Sequence, residues 1–157
     1  MSEKKSPAID PATVAPHVGT GYPPPYKAGV DARERRALGD VFGLANFGVN
    51  LTRLPPGCAS AQRHWHKLQD EFIYIVEGTP ILETSAGEQE LRPGMVAGFP
   101  AGVADGHRLI NRTARDVIYL EIGDRAPGDE VDYPDVDMIG RDIGGKWKFT
   151  RRDGGEF

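Results

Sequence analysis

Short runs of β-branched and aromatic residues, separated by glycine and proline, fill the chain from Val41 to Gly123. They include FGVNLTRL, EFIYIV, PILETS and VIYLEI. Turn-forming sequences lie between them, among them Pro55-Pro56-Gly57, Gly78, Pro93-Gly94 and Pro100-Ala101-Gly102. Regularly spaced short strands with such turns predict an all-β sandwich or barrel, and helical periodicity is absent from this region.

The two flanking segments differ from this β-rich region in composition. Residues 1–40 are rich in proline, glycine and charge, which predicts an irregular, extended N-terminal arm. Within the arm, DARERRAL (Asp31–Leu38) predicts one short helix that ends at Gly39. We therefore predict an arm over 1–40, a barrel core over 41–125 and a C-terminal extension over 126–157 that packs on the barrel. In the extension, WKFTRR predicts a short edge strand.

Charge and composition exclude several classes of function. The chain has 19 basic and 23 acidic residues, so it lacks the positive field that nucleic-acid binding requires. No apolar run approaches the roughly 20 residues of a membrane span, and no signal peptide is visible. The single cysteine, Cys58, follows a turn and is expected to be a small, half-buried residue and not a nucleophile. We expect a soluble, cytoplasmic protein that binds neither nucleic acid nor membranes.

Three of the four histidines lie in two segments that resemble strands and turns. The segment GCASAQRHWHKLQDEFIYIVEG contains His64, His66 and Glu71, and the segment GMVAGFPAGVADGHRLIN contains His107. In a strand, side chains two residues apart share a face and are about 7 Å apart at the backbone. Two such imidazoles can close on one metal ion at about 2.0–2.1 Å per nitrogen.

Three imidazoles and one carboxylate suit a borderline divalent ion such as Fe, Mn, Co, Ni, Cu or Zn. Four protein ligands in an octahedral arrangement would leave two positions for water, substrate or O₂, unlike a closed structural zinc site. If Glu71 points inward, Ile73 and Ile75 line the same face. The alternative is a metal-free polar pocket of the same shape.

The other polar residues of these segments make weaker candidates. Asp105 shares the phase of His107 only if the chain between them is strand-like, which Gly106 makes doubtful. The arm histidine, His17, is expected to be exposed. The remaining candidates are out of phase or lie in turns, and we expect them on the surface: Asp70, Tyr74, Arg108 and Arg112. No catalytic acid or base is identified from the sequence.

The two segments resemble the two motifs of the cupin superfamily. The first motif appears as Gly57, His64-Trp65-His66, Glu71 and Gly78, and the second as Gly94, Pro100-Ala101-Gly102, His107 and Asn111. Two spacings depart from the family pattern: Gly57 to His64 is one residue longer, and Gly102 to His107 is two residues longer.

The resemblance covers roughly residues 44–122 and implies a double-stranded β-helix, a jelly-roll-like barrel with a metal ion inside. Carried over residue by residue, it implies the ligands His64, His66, Glu71 and His107. Some small single-domain cupins that this chain resembles are described as sugar-phosphate isomerases.

Three functions are consistent with this resemblance. The first is a metal-dependent enzyme for a small polar metabolite, with isomerisation or epimerisation of a sugar or sugar phosphate as the leading hypothesis. The alternatives are a non-catalytic module that binds or senses a small molecule, and an Fe-dependent dioxygenase or lyase. Cupin barrels commonly pair through a sheet edge or an N-terminal arm, so we also predict a homodimer.

Overall fold

The computed structural model describes residues 6–157, and nearly all of its regular structure is β. The first five residues of the predicted arm lie outside this range. One short α-helix, α1 (Leu38–Val41), and two 3-10 helices, Pro11–Thr13 and Pro24–Tyr26, interrupt a succession of strands in residues 6–157. The strands are β1 (His17–Val18), β2 (Glu34–Ala37), β3 (Phe47–Leu54), β4 (Trp65–His66), β5 (Glu71–Glu77), β6 (Ile81–Thr84), β7 (Gly87–Glu90), β8 (Val96–Phe99), β9 (Arg108–Ile110), β10 (Val117–Asp124), β11 (Glu130–Tyr133), β12 (Met138–Ile143) and β13 (Lys146–Thr150).

The strands form three antiparallel sheets that together make a jelly-roll-like barrel. Their strand orders are β1-β2-β3-β10-β5-β8, β13-β12-β11-β4 and β7-β6-β9. The predicted all-β class and barrel architecture are confirmed. In residues 6–157, no helix is long and apolar enough to cross a membrane.

Strand parity decides which side chains enter the barrel. On β5, Ile73 and Ile75 are 6% and 0% exposed, whereas Phe72 and Tyr74 are each 40% exposed. Glu71 shares the phase of the two isoleucines, so it points into the barrel as the alternation predicted. The two isoleucines pack in a buried apolar core with Leu54, Leu82, Leu91, Leu109 and Val117.

The prediction of a helix over Asp31–Leu38 is wrong. Residues Glu34–Ala37 form β2, which pairs antiparallel with β3, and the helix that follows covers only Leu38–Val41. The edge of β3 supplies hydrogen-bond partners for Glu34–Ala37, and this tertiary pairing outweighs the local helix propensity of the sequence. A salt bridge between Glu34 and Arg53 joins the two strands.

The C-terminal segment contributes strands to the barrel. The predicted edge strand in WKFTRR is confirmed as β13, at one end of the four-stranded sheet. At the other end, β11 pairs with β4, with Val131 opposite His66 and Asp132 opposite Trp65. The strand that carries His66 is therefore held in place by residues from the far end of the sequence.

Candidate metal centre

The structure brings His64, His66, Glu71 and His107 together inside the barrel. His64 and His107 lie directly opposite each other in an isolated antiparallel bridge, with N–O distances of 3.2 and 2.9 Å. The longer loop before His107 therefore does not displace this residue from the site. All four side chains are largely shielded from solvent, with exposures of 13%, 12%, 16% and 8%.

The carboxylate of Glu71 lies at the centre of the three imidazoles. Its Oε2 atom is 3.5 Å from Nε2 of His64, 3.5 Å from Nε2 of His66 and 2.8 Å from Nε2 of His107. The ligand atoms of His64, His66 and Glu71 all lie within 4.8 Å of one another. Four potential donor atoms thus face a single point.

Hydrogen bonds on the far side of two rings determine which nitrogen faces this point. His64 Nδ1 donates to the carbonyl oxygen of Gln62 at 2.9 Å, and His66 Nδ1 donates to Asp129 Oδ2 at 2.5 Å. When each ring is neutral with its proton on Nδ1, it presents the lone pair of Nε2 to the cluster. This tautomer is the one that binds a metal ion.

Asp129 is a site residue that the sequence analysis missed. It lies in the turn before β11 and is 1% exposed. One carboxylate oxygen holds His66, and the other accepts the backbone N–H of Leu68 at 2.8 Å. Its distance from the motif, 63 residues from His66, leaves no local signal that could identify it.

Phe99 orients the third imidazole by packing. Its ring stacks on His107 with the centroids 3.5 Å apart and the planes inclined by 1°. Phe99 lies opposite Glu71 in the β5–β8 pair, so the same pairing places both groups. His107 Nδ1 is buried and has no hydrogen-bond partner in residues 6–157, so stacking is what sets the angle of the ring.

The electrostatics of the cluster favour a cation at its centre. Burial alone would raise the pKa of Glu71, but His64 and the other imidazoles outweigh burial and hold that pKa well below its usual range. For His66, burial lowers the pKa, yet Glu71 and Asp129 together raise it to about 9. Burial lowers the pKa of His107. The carboxylate is therefore ionised and attracts positive charge.

The chemistry of these donors fits a divalent transition metal. Glu71 Oε2 is buried and accepts no well-aligned hydrogen bond from any residue in the described chain. A buried anionic oxygen without a donor is costly, and a cation bound by Oε2 and the imidazole Nε2 atoms would remove that cost. Residues His64, His66 and Glu71 could hold such an ion, with His107 in reach as a fourth ligand.

The cluster lies in the wall of a cavity of about 700 Å³. Glu121 lines the same cavity from β10, half-buried, with Thr52 Oγ1 3.4 Å from its Oε2. Sequence reasoning did not single out Glu121, although it alternates with the buried Val117 and Tyr119. That alternation in VIYLEI was the available signal for an inward-facing carboxylate.

The remaining candidates have structural or surface roles. Asp70 Oδ1 is exposed and accepts the N–H of Ala101 at 2.7 Å, while Asp105 Oδ1 accepts the N–H of Ser85 at 2.8 Å. Arg108 pairs with Glu83, and Arg112 pairs with Glu88 on the surface. Tyr74 is exposed and His17 is exposed, as predicted.

Cys58 is 3% exposed and belongs to the apolar core. Burial raises the pKa of its thiol, which argues against a nucleophilic role.

Comparisons with known proteins agree with the geometry. A family profile, the cupin domain, matches residues 50–123. The structure superposes with a TM-score of 0.92 on a sugar phosphate isomerase from a cupin superfamily of Silicibacter pomeroyi, at 40% identity over 96% of each chain. A protein from Acidithiobacillus ferrooxidans, provisionally described as a sugar phosphate isomerase, gives 0.72 at 29% identity over 80% of each chain.

A third structure, a predicted oxalate decarboxylase from Thermotoga maritima, shares only the fold, with 17% identity over 76% of this chain and 99% of its own and a TM-score of 0.62. A search of curated protein sequences gives no significant match. With both motifs, the barrel and a relative at 40% identity over nearly its whole length, this chain belongs to the cupin superfamily.

Proposed function

We propose that this protein is a metal-dependent isomerase that acts on a sugar or a sugar phosphate. The observation that carries the proposal is one cavity that contains both a cluster of three histidines and Glu71, which could hold a metal ion, and a separate carboxylate, Glu121. Two similar structures are described as sugar phosphate isomerases, one of them provisionally, which supports the same class of reaction.

The metal would be held by His64, His66, Glu71 and His107. When bound, a divalent ion supplies Lewis-acid polarisation of a carbonyl or hydroxyl oxygen. Phe99 and Ile73 surround the cluster with apolar surface and limit the access of water to it.

Glu121 is the residue that we propose moves the proton. In the β10–β5 pair, Glu121 lies opposite Ile73, the next inward-facing residue after Glu71. In an aldose–ketose isomerisation, a Glu121 carboxylate oxygen takes the proton from the carbon beside the carbonyl. It returns that proton to the former carbonyl carbon, while the proton of the adjacent hydroxyl group passes to the former carbonyl oxygen, so that the substrate is isomerised without net oxidation or reduction. The hydroxyl group of Thr52 donates a hydrogen bond to this carboxylate and helps to hold its position.

An isomerase assay on a panel of sugars and sugar phosphates tests this proposal. The Glu121→Gln variant should lose at least about 100-fold in kcat and stop incorporating deuterium from D₂O into product, because the amide cannot take the proton. Its metal content should equal that of the wild type. The matched control is Glu90→Gln, at an exposed position on β7, which should retain full activity. Turnover at wild-type rates by Glu121→Gln would refute the assignment.

We also propose that the protein is a homodimer. Apolar side chains on the outer face of β5 and β8 are exposed: Phe72, Tyr74, Val76 and Val96. A contiguous apolar surface on a sheet is a common site of subunit association.

A further inference from the structure

We propose that Arg33 and Arg35, delivered by the N-terminal arm, form a phosphate-binding subsite in the same cavity. The inference rests on the proposed function and narrows its substrate class to phosphorylated sugars. Both arginines line the cavity that contains Glu71 and Glu121.

Arg33 is a half-buried arginine that forms no ion pair with any of residues 6–157. Its Nε atom is buried and has no hydrogen-bond partner, and no carboxylate of residues 6–157 lies within 4 Å of its guanidinium. Its Nη1 donates to the carbonyl oxygen of Ser60, which leaves the positive charge uncompensated. Partly buried charges are normally paired, so this guanidinium provides a place for an anionic ligand.

Arg35 provides a second guanidinium on the same inner face. It lies on β2, two residues after Arg33 in the sequence and opposite Thr52 of β3, and is half-buried. In the described part of the chain it forms no ion pair, whereas its outward-facing neighbours Glu34 and Arg36 both have partners. Two guanidinium groups supply a double positive charge and several N–H donors, which match a phosphate dianion.

The order of the strands places the arginines, Glu121 and the metal cluster along one wall of the cavity, where a single substrate could contact all three. The sheet runs β2-β3-β10-β5, with Arg35 on β2, Arg33 directly before β2, Glu121 on β10 and Glu71 on β5. A sugar phosphate that extends across this wall would have its phosphate on the arm and its reacting carbons near Glu121 and the metal cluster. The arm thus becomes part of the binding site.

Titration calorimetry with inorganic phosphate tests the subsite in the full-length protein without requiring turnover. The Arg35→Gln variant should bind phosphate at least about tenfold more weakly than the wild type. Arg33→Lys keeps the charge but loses the planar fork, and should also bind phosphate more weakly. The matched control is Arg115→Gln, which removes the same charge from an exposed position outside the cavity and should change the affinity by less than about twofold.

Each outcome is decisive. Equal phosphate affinity in the wild type and in Arg35→Gln would mean that phosphate binds at another site, for example at the metal, and would overturn the inference. Tighter binding of formate than of phosphate would identify a carboxylate subsite and would also overturn it.

Failure of the proposed isomerase activity can be distinguished from failure of the phosphate subsite. In the first case, phosphate would still bind in a manner that depends on Arg35, although no sugar phosphate would be turned over. If turnover is found, Arg35→Gln should raise KM for phosphorylated sugars and leave KM for unphosphorylated sugars unchanged.

Discussion

Replacing Asp129 by asparagine removes the charge that orients His66 while it keeps the size of the side chain. Asp129 Oδ2 accepts from His66 Nδ1 at 2.5 Å, and Oδ1 accepts from the N–H of Leu68 at 2.8 Å. The two contacts use different oxygens of Asp129, and an amide has an oxygen at only one of those two positions. If the oxygen stays on Leu68, the amide N–H₂ faces His66 and drives the ring proton to Nε2, which blocks the metal-facing lone pair.

The magnitude follows from these two contacts. A lost hydrogen bond to a charged, buried group costs about 1.5–3 kcal/mol, so the free energy of unfolding should fall by about that amount. Metal affinity should fall about 10- to 100-fold, as is typical when the hydrogen-bond partner of a ligating histidine is removed. Asp129 is 1% exposed, so water cannot replace the lost acceptor.

The assay is a competitive titration with a fluorescent chelator, combined with urea unfolding monitored by circular dichroism. The matched control is Asp137→Asn, at an exposed aspartate that accepts only the backbone N–H of Arg152 at 2.9 Å. This control should bind metal like the wild type. Wild-type metal affinity in Asp129→Asn, whatever its stability, would refute the role of Asp129 in orienting His66.

Three further predictions concern the barrel. Ile75→Ala should cost about 2–5 kcal/mol of stability in urea unfolding, because Ile75 is 0% exposed, whereas Val76→Ala at 45% exposure should cost less than about 1 kcal/mol. Gly78→Ala should be far more destabilising than Gly94→Ala: both glycines have positive φ, 82° and 88°, but only at Gly78 would a Cβ meet Asp116 O at 2.7 Å and Val117 Cγ2 at 2.9 Å. Equal losses of unfolding free energy in the two variants would contradict this. Light scattering should give the mass of two chains, and Phe72→Asp should give one; a monomeric wild type would disprove the dimer.

Much of the barrel and of the cluster follows from local alternation in the sequence. The inward orientation of Glu71 was predictable because Ile73 and Ile75 lie on the same face of β5. That His64 and His66 share a face follows from their spacing of two residues. The opposition of His107 to His64 needed the family motif, since both residues form an isolated bridge just outside β4 and β9 and the loop before His107 is longer than usual.

The contributions of the two chain ends were not predictable from local patterns. Asp129 reaches His66 only because β11 pairs with β4, and a contact between residues 63 positions apart leaves no trace in local composition. Arg33 and Arg35 were assigned to a helix, since DARERRAL contains good helix formers, and the free edge of β3 overrode that preference. In both cases a distant strand decided the conformation.

Elemental analysis of protein purified without an affinity tag is the most direct test of the metal centre. We predict about one divalent transition-metal ion per chain, retained through dialysis, and loss of that ion in both Glu71→Gln and His66→Ala. A wild-type protein that contains no such metal and takes up none of Fe, Mn, Co, Ni, Cu or Zn would contradict the account, as would a Glu71→Gln variant that keeps its full complement.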